Sequence, residues 1–492
     1  MKSYIYKIVL FTTILASVVS CSDFLEEDLS GQLTSDGGAL NTETGLTAAL
    51  VGTYAQMTRN WIRGYGNASV RAVTMGSDDI TTHKASNKAD FRAFDQFVVV
   101  SQNGRLPQIW RGAYKSIQGS NNIIANYETA EGSQTVINQI AGEAFFLRAY
   151  NYFWLTRVWG KVPLVLQTHV FNEEDLDIET SPIADIYDQI ISDLNQAITL
   201  LGNSKPEPGR ANKGTAKAVL AKVYMQMAGW PLKDQSKYAM AASLAKEVID
   251  NQSTYGFGLM DNFIDLWPSA TINNDGNKEE VFALNFVGTQ GYNSNSLYGN
   301  AARPSDEGGW DDYFSELTFF NNFPDQVRKD NTFYTELADG TPWPDFSVGR
   351  PYYKKFQGNA LTWRNAISHP LERFAELYFI FAEAQIVTTG NETDADALEA
   401  VNKIVRRANG LPLNTPDPTV DYTSLSVAQL IQEKAWEFAG EPVRWFDLTR
   451  LELVEEANAD KHPDDLQPLG PVTEYFMPIP ANEILANPNL GN

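Results

Sequence analysis

Cysteine is almost absent from this chain: Cys21 is the only one in 492 residues. A single thiol cannot close an intramolecular disulfide. The four histidines, His83, His169, His369 and His462, are scattered with no ligand spacing. A zinc or Cys/His site has little to build from, and neither metal nor cofactor is expected. Basic residues are also short, 38 against 61 acidic, for a net charge of −23. Nucleic-acid binding needs a basic footprint, so this balance excludes nucleic acid as a partner. It also weighs against a polyanionic ligand. No stretch is long and apolar enough to span a bilayer, which takes about 20 residues. Nor is there a nucleophile elbow, a phosphate-binding loop or a dinucleotide fingerprint. The expectation is a protein that performs no chemistry.

The beginning of the chain is an address. Lys2 and Lys7 precede an apolar run from Ile8 to Val19, broken only by Thr12, Thr13 and Ser17. That pattern reads as a secretory signal over residues 1–20, set apart before any fold reasoning. Val18-Val19-Ser20 then leads into Cys21, where a lone cysteine after a small residue reads as a lipidation site. Several acyl chains on one residue suffice for stable anchoring. Asp23, Glu26, Glu27 and Asp28 follow, so residues 21–41 read as a solvated acidic tether.

Helical spacing runs through much of what remains. Thr42 is a candidate N-cap for a helix to Arg59, with Leu46, Leu50, Tyr54 and Met57 on one side. Residues 60–104 read as Gly-, Asn- and Asp-rich loop. Helices are predicted over Leu106–Tyr127, Gln134–Val158, Ile183–Leu201, Lys213–Met227 and Tyr238–Asp250. The second of these is apolar most of the way round, as buried helices are. The segment 251–369 is rich in Gly, Asn, Pro and aromatics, with strand-like runs at Val281–Val287 and Tyr352–Phe356. Helix returns at Leu371–Val387, Asp394–Ala408, Val427–Ala439 and Pro442–Leu451. Ser426 with Gln429 is a capping box, Leu425 with Leu430 a hydrophobic staple. Gly440 is the stop, and Pro442 the first turn of the next helix.

Two carboxylates are what glycoside hydrolysis requires. Glu372 with Glu376, and Glu433 with Glu437, lie one helical turn apart beside Arg373, Lys434 and Arg444, which reads as ion pairing and solvated faces. Asp78-Asp79 and Asp311-Asp312 sit in loops and lack the spacing of a calcium loop. The tryptophans divide by context. Trp110, Trp154, Trp159, Trp436 and Trp445 lie in or beside apolar helices and read as core, and Trp230 and Trp267 as packing at helix ends. Trp61, Trp310 and Trp343 sit among Gly, Asn, Asp and Pro. A large ring on a polar loop needs a partner, and the C–H face of a sugar is one. The predicted ligand site is therefore Trp61, Tyr65, Tyr298, Trp310 and Trp343, with Asp311, Asn60 and Arg63 for hydroxyl hydrogen bonds.

Six ordered motifs carry a resemblance: Trp110-Arg111 through Asn121-Asn122-Ile123, Glu143–Leu166, Asn212–Tyr224, Glu372–Ala384, Glu437–Arg450 and Pro478–Leu490. With Cys21 and its acidic start, they make the chain resemble the SusD/RagB family of surface lipoproteins over nearly its whole length. Lys434 departs from the pattern, which has arginine there. The resemblance implies a mainly α fold: a scaffold of tetratricopeptide-like helical hairpins with a long irregular, loop-rich insert. It implies one domain over 42–492, with the ligand site in the insert at about 251–369 and the loop after the first helix. It implies a lipid anchor in the outer membrane at the cell surface. It further implies partnership with a SusC-like TonB-dependent transporter, over which the protein sits as a lid. The shared motifs are structural and assign no ligand residue. The functional expectation is capture of an oligo- or polysaccharide, neutral in view of the charge, and its delivery to that transporter. A peptide-binding member of the same family is the alternative, and a lipid-anchored glycosidase a more distant one.

Overall fold

The computed structural model describes residues 38–58, 64–65, 68–168, 178–267, 277–286, 300–356 and 367–491. Cys21, Asn60, Trp61, Arg63 and Tyr298 lie outside them. The long helices are α1 (Glu43–Thr58), α2 (Leu106–Asn126), α3 (Gln134–Trp159), α4 (Ile183–Leu200), α5 (Lys213–Ala228), α6 (Lys237–Asp250), α7 (Phe374–Thr389), α8 (Ala395–Ala408) and α9 (Val427–Glu437). The shorter α10 spans Arg444–Arg450. The chain is mainly α, as expected.

The helices stack in sequence order, each packing on the one before, from α1 through α8. The join of α6 to α7 spans the insert: the chain leaves after α6, runs through more than a hundred residues, and resumes the stack at α7. α3 is the centre. Every residue from Ile140 to Trp159 is buried, because α2 and α4 cover opposite sides of it. Gly160 ends it at φ +72°, in the left-handed region where glycine costs least.

Local signals placed the helix starts. Thr42 Oγ1 accepts the Gly45 N–H at 3.2 Å. Ser426 and Gln429 exchange the two bonds of a capping box, at 3.3 and 3.0 Å, over the fully buried pair Leu425 and Leu430. Asn212 and Thr215 form a second capping box at α5.

Three expectations need correction. Residues 60–104 are not all loop: short helices form at Ser69–Ala72, burying Val70 and Ala72, and at Ala89–Asp95, burying Phe91 and Phe94. Leu371–Arg373 is not helix. It belongs to strand β6 (His369–Arg373), which pairs antiparallel with β2 (Glu280–Leu284), and the cross-chain pairing overrides helical spacing. α9 ends at Glu437 and α10 begins at Arg444, so Pro442 precedes the helix.

The insert carries the rest of the sheet structure. β3 (Phe314–Ser315) pairs with β1 (Ile80–Thr81), and β4 (Phe333–Tyr334) with β5 (Tyr352–Tyr353). The β1–β3 pair ties the insert to the scaffold. A small apolar cluster of Phe314, Phe346 and Tyr352 lies inside it, with Tyr334 and Trp343 packed against its edge.

Candidate ligand-binding face

Trp343 opens a single 3-10 turn, Trp343–Asp345, between the exposed prolines Pro342 and Pro344. Its ring is half-buried and stands edge-on to Phe320, with centroids 5.5 Å apart. The Trp343 N–H donates to Thr335 O at 2.8 Å, which fastens the turn to the end of β4. Tyr334, the last residue of β4, is also half-buried; its hydroxyl donates to Glu307 Oε2 at 2.8 Å. Glu307 accepts the Ala338 N–H as well and faces Arg303 at 3.5 Å. Trp310 is half-buried too, and its N–H donates to Asn300 O at 2.7 Å.

These rings share one substructure. Asp311 Oδ1 accepts from the Ser305 N–H at 2.8 Å and the Tyr352 hydroxyl at 2.6 Å. Tyr352 packs on Phe346, whose N–H bonds back to Trp343 O at 3.2 Å. Trp310 and Trp343 are thus connected through Asp311, Tyr352 and Phe346. Burial and the neighbouring Asp311 carboxylate push the Tyr352 phenol well above its ordinary range. Asp306, Glu336, Asp339 and Asp345 are exposed around this face and give it an acidic rim.

Of the predicted site residues, Trp310 and Trp343 are both half-buried, and they are linked only indirectly, through Asp311, Tyr352 and Phe346. Asp311 is present but buried, at positive φ, with its carboxylate committed to Ser305 and Tyr352. It shapes the face from within and is not placed to meet a ligand hydroxyl. Tyr65 does not belong to the face. Its side chain is fully buried, donates to Asn151 Oδ1 at 3.0 Å, and packs against Trp154 of α3 at 5.2 Å. Its glycine neighbours suggested an open loop, but α3 covers the ring. Tyr334, which packs against the same small cluster as Trp343, was not singled out from the sequence.

The loop carboxylates that a hydrolase would need are all engaged. Asp78 holds Arg444 through two bonds of 2.7 Å. Asp79 accepts from Ser77 and from the Gly440 N–H. Asp312 is paired with Lys88 and near Arg105. The two glutamate pairs are also ion-paired, but buried and not solvated as expected. Glu372 and Glu376 share Lys222, each at 2.8 Å. Glu433 and Glu437 meet Arg328, and Glu437 also meets Arg373 and Arg407.

Comparison with known proteins agrees with this architecture. The family described as SusD-like, starch-binding and associating with the outer membrane, matches residues 23–225. A SusD-like protein P2 of Formosa agariphila is 27% identical, over 99% of this chain and 98% of its own. The crystal structure of a SusD homolog from Bacteroides thetaiotaomicron superposes with a TM-score of 0.79 at 19% identity, covering 93% of this chain and 98% of the other. The solved structure of a laminarin-binding SusD-like protein gives a TM-score of 0.74 at 24% identity, covering 91% and 98%.

The chain is similar to SusD-like proteins over nearly its whole length. The SusD-like motifs then acquire a physical meaning, because they hold the charged groups buried between helices. Glu143 receives Arg210, Arg148 grips Asp193 at 2.7 Å, and Glu383 takes Arg450 at 2.6 Å. Lys434, where the family pattern has arginine, reaches Glu376 at 3.1 Å and Asp447 at 2.9 Å. An ammonium ion meets two carboxylates as a point charge, without the planar fork of a guanidinium. These joints determine the SusD-like fold, and none of them lies on the Trp310–Trp343 face.

Proposed function

We propose that this protein captures an oligo- or polysaccharide at the cell surface and delivers it to a TonB-dependent outer-membrane transporter. The observation that carries the reading is that Trp310 and Trp343, both half-buried, belong to one loop-built substructure of a SusD-like fold. A half-buried indole is held rigidly from behind and still offers an apolar face, which suits the C–H face of a pyranose ring. The acidic rim favours a neutral glycan, in keeping with the net charge of −23. A laminarin-binding protein of the same fold supports a glucan as the first ligand to try. The lipidated Cys21, the acidic tether and the outer-membrane location belong to the same proposal. Trp61 and Tyr298 remain proposed contacts from the sequence reading.

The test is calorimetric titration of laminarin and xyloglucan oligosaccharides into wild type, Trp310→Ala and Trp343→Ala. A stacked contact that removes on the order of 80 Å² from water contributes roughly 2 kcal/mol, about thirtyfold in affinity. Each variant should lose about that much while keeping its circular dichroism. Binding within twofold of wild type in both folded variants would place the site elsewhere.

A further inference from the structure

The insert meets the scaffold along a seam of buried charge, and one lysine stands at its centre. Lys461 is fully buried between Asp95, at the end of the Ala89–Asp95 helix, and Glu316, just after β3 in the insert. The ammonium lies 2.5 Å from Asp95 Oδ1 and 2.7 Å from Glu316 Oε1, and donates to Leu466 O at 3.3 Å. The Thr81 hydroxyl, on β1, donates to the other Asp95 oxygen at 2.6 Å. Asp465 accepts the Leu317 N–H at 2.9 Å and faces Arg350 of the insert at 3.3 Å. His462 and Asp464 lie at the exposed rim. The Glu316 N–H donates to Asp79 O at 3.3 Å.

We propose that Lys461 is the positioning residue of the ligand-bearing insert, seating it by neutralising Asp95 on the scaffold side of the seam and Glu316 on the insert side. The charges do not balance without help. Asp95, Glu316 and Asp465 face Lys461 and Arg350, one acid more than there are bases, with their side chains buried or nearly so. Glu316 is buried, and its Oε1 lies against the Lys461 ammonium that Asp95 also uses. Burial pushes the Glu316 carboxyl well up, with Asp95 and Asp465 adding to the rise and Lys461 opposing it. Protonation of the surplus acid relieves the imbalance, so the seam tightens as pH falls and loosens as pH rises. The consequence for ligand binding rests on the function proposed above, whereas the seating itself does not.

Hydrogen exchange on the full-length protein reads the seating directly. In Lys461→Met, amide protection over 312–320 and 350–353 should fall about tenfold near pH 8 with α3 and α4 unchanged, since only the seam opens. Near pH 5 the protection should return, because the stranded carboxylates take up protons. Lys461→Arg should restore it at both pH values, and affinity for a laminarin oligosaccharide should follow it. Should Lys461→Met fail to fold, Glu316→Gln decides: it removes the surplus acid and should abolish the wild-type loss of seam protection above neutral pH. Unchanged protection, loosening spread evenly over the helices, or loosening independent of pH would overturn the role. A wild type that binds no glycan would sink the proposed function and leave the exchange result standing.

Discussion

Glu437 and Asp79 are both fully buried carboxylates, yet their neighbours drive them in opposite directions. Burial alone raises Glu437, but Arg407, Arg373, Arg328 and Lys355 outweigh it and hold the carboxyl at about 2. Its ordinary value is 4.5, so the stabilisation is complete above that and is lost as pH falls through 2. The difference amounts to about 3 kcal/mol. Glu437→Gln should therefore cost about 3–5 kcal/mol near neutral pH, with three guanidinium groups left short of a partner. Urea unfolding should show the gap to wild type closing toward pH 2. Asp79 is raised from 3.8 to about 6, chiefly by burial, against the donors Ser77 and Gly440 and beside the like charge of Asp78. The penalty for its ionised form is absent below 3.8 and fully felt above 6. Asp79→Asn, whose amide can still accept from Gly440 and donate to Ser77, should gain up to about 3 kcal/mol near pH 8 and almost nothing near pH 3. A stability curve for this variant parallel to wild type from pH 3 to 8 would contradict the assignment.

At the scale of elements, two capping boxes of the same kind should differ in worth. Ser426 caps α9 at the surface, and Ser426→Ala should cost about 1 kcal/mol. Asn212 caps α5 from a fully buried position, and its amide also donates to Asn203 O at 2.5 Å and Tyr255 O at 2.9 Å. Asn212→Ala removes the cap and leaves the buried Tyr255 carbonyl unmet, for about 2–4 kcal/mol. Chemical denaturation of the two variants side by side measures the difference, and equal costs would refute it. Caps and periodicity are local, which is why most helix boundaries were legible in the sequence to within one or two residues. β6 was not, because Leu371–Arg373 takes its shape from β2, about ninety residues earlier. The insert's course was illegible for the same reason: Lys88 to Asp312 and Lys461 to Asp95 join residues hundreds apart. Its aromatic character was legible, and the polar neighbours that singled out Trp310 and Trp343 go with half-buried rings in the structure. Tyr65 had similar neighbours, and only the packing of α3 over its ring distinguishes it.

At the scale of the molecule, charge constrains what can be captured. A protein of net charge −23 sets up a repulsive field for anions at a distance, and the acidic rim of Asp306, Glu336, Asp339 and Asp345 strengthens it at the candidate face. A neutral glycan is indifferent to that field, since its binding energy comes from ring burial and hydrogen bonds. Its affinity should therefore change by less than about twofold between about 0.05 and 0.5 M salt, over which the screening length shrinks several-fold. A sulfated or uronate glycan of similar length should bind weakly at low salt and gain as the field is screened. Trp343→Ala should weaken the neutral ligand equally at both salt concentrations, because the lost contact is apolar. Titrations of a neutral and an acidic oligosaccharide across the salt series separate the cases. A neutral ligand whose affinity falls steeply with salt would mean that charged groups, and not the indole rings, supply the binding energy.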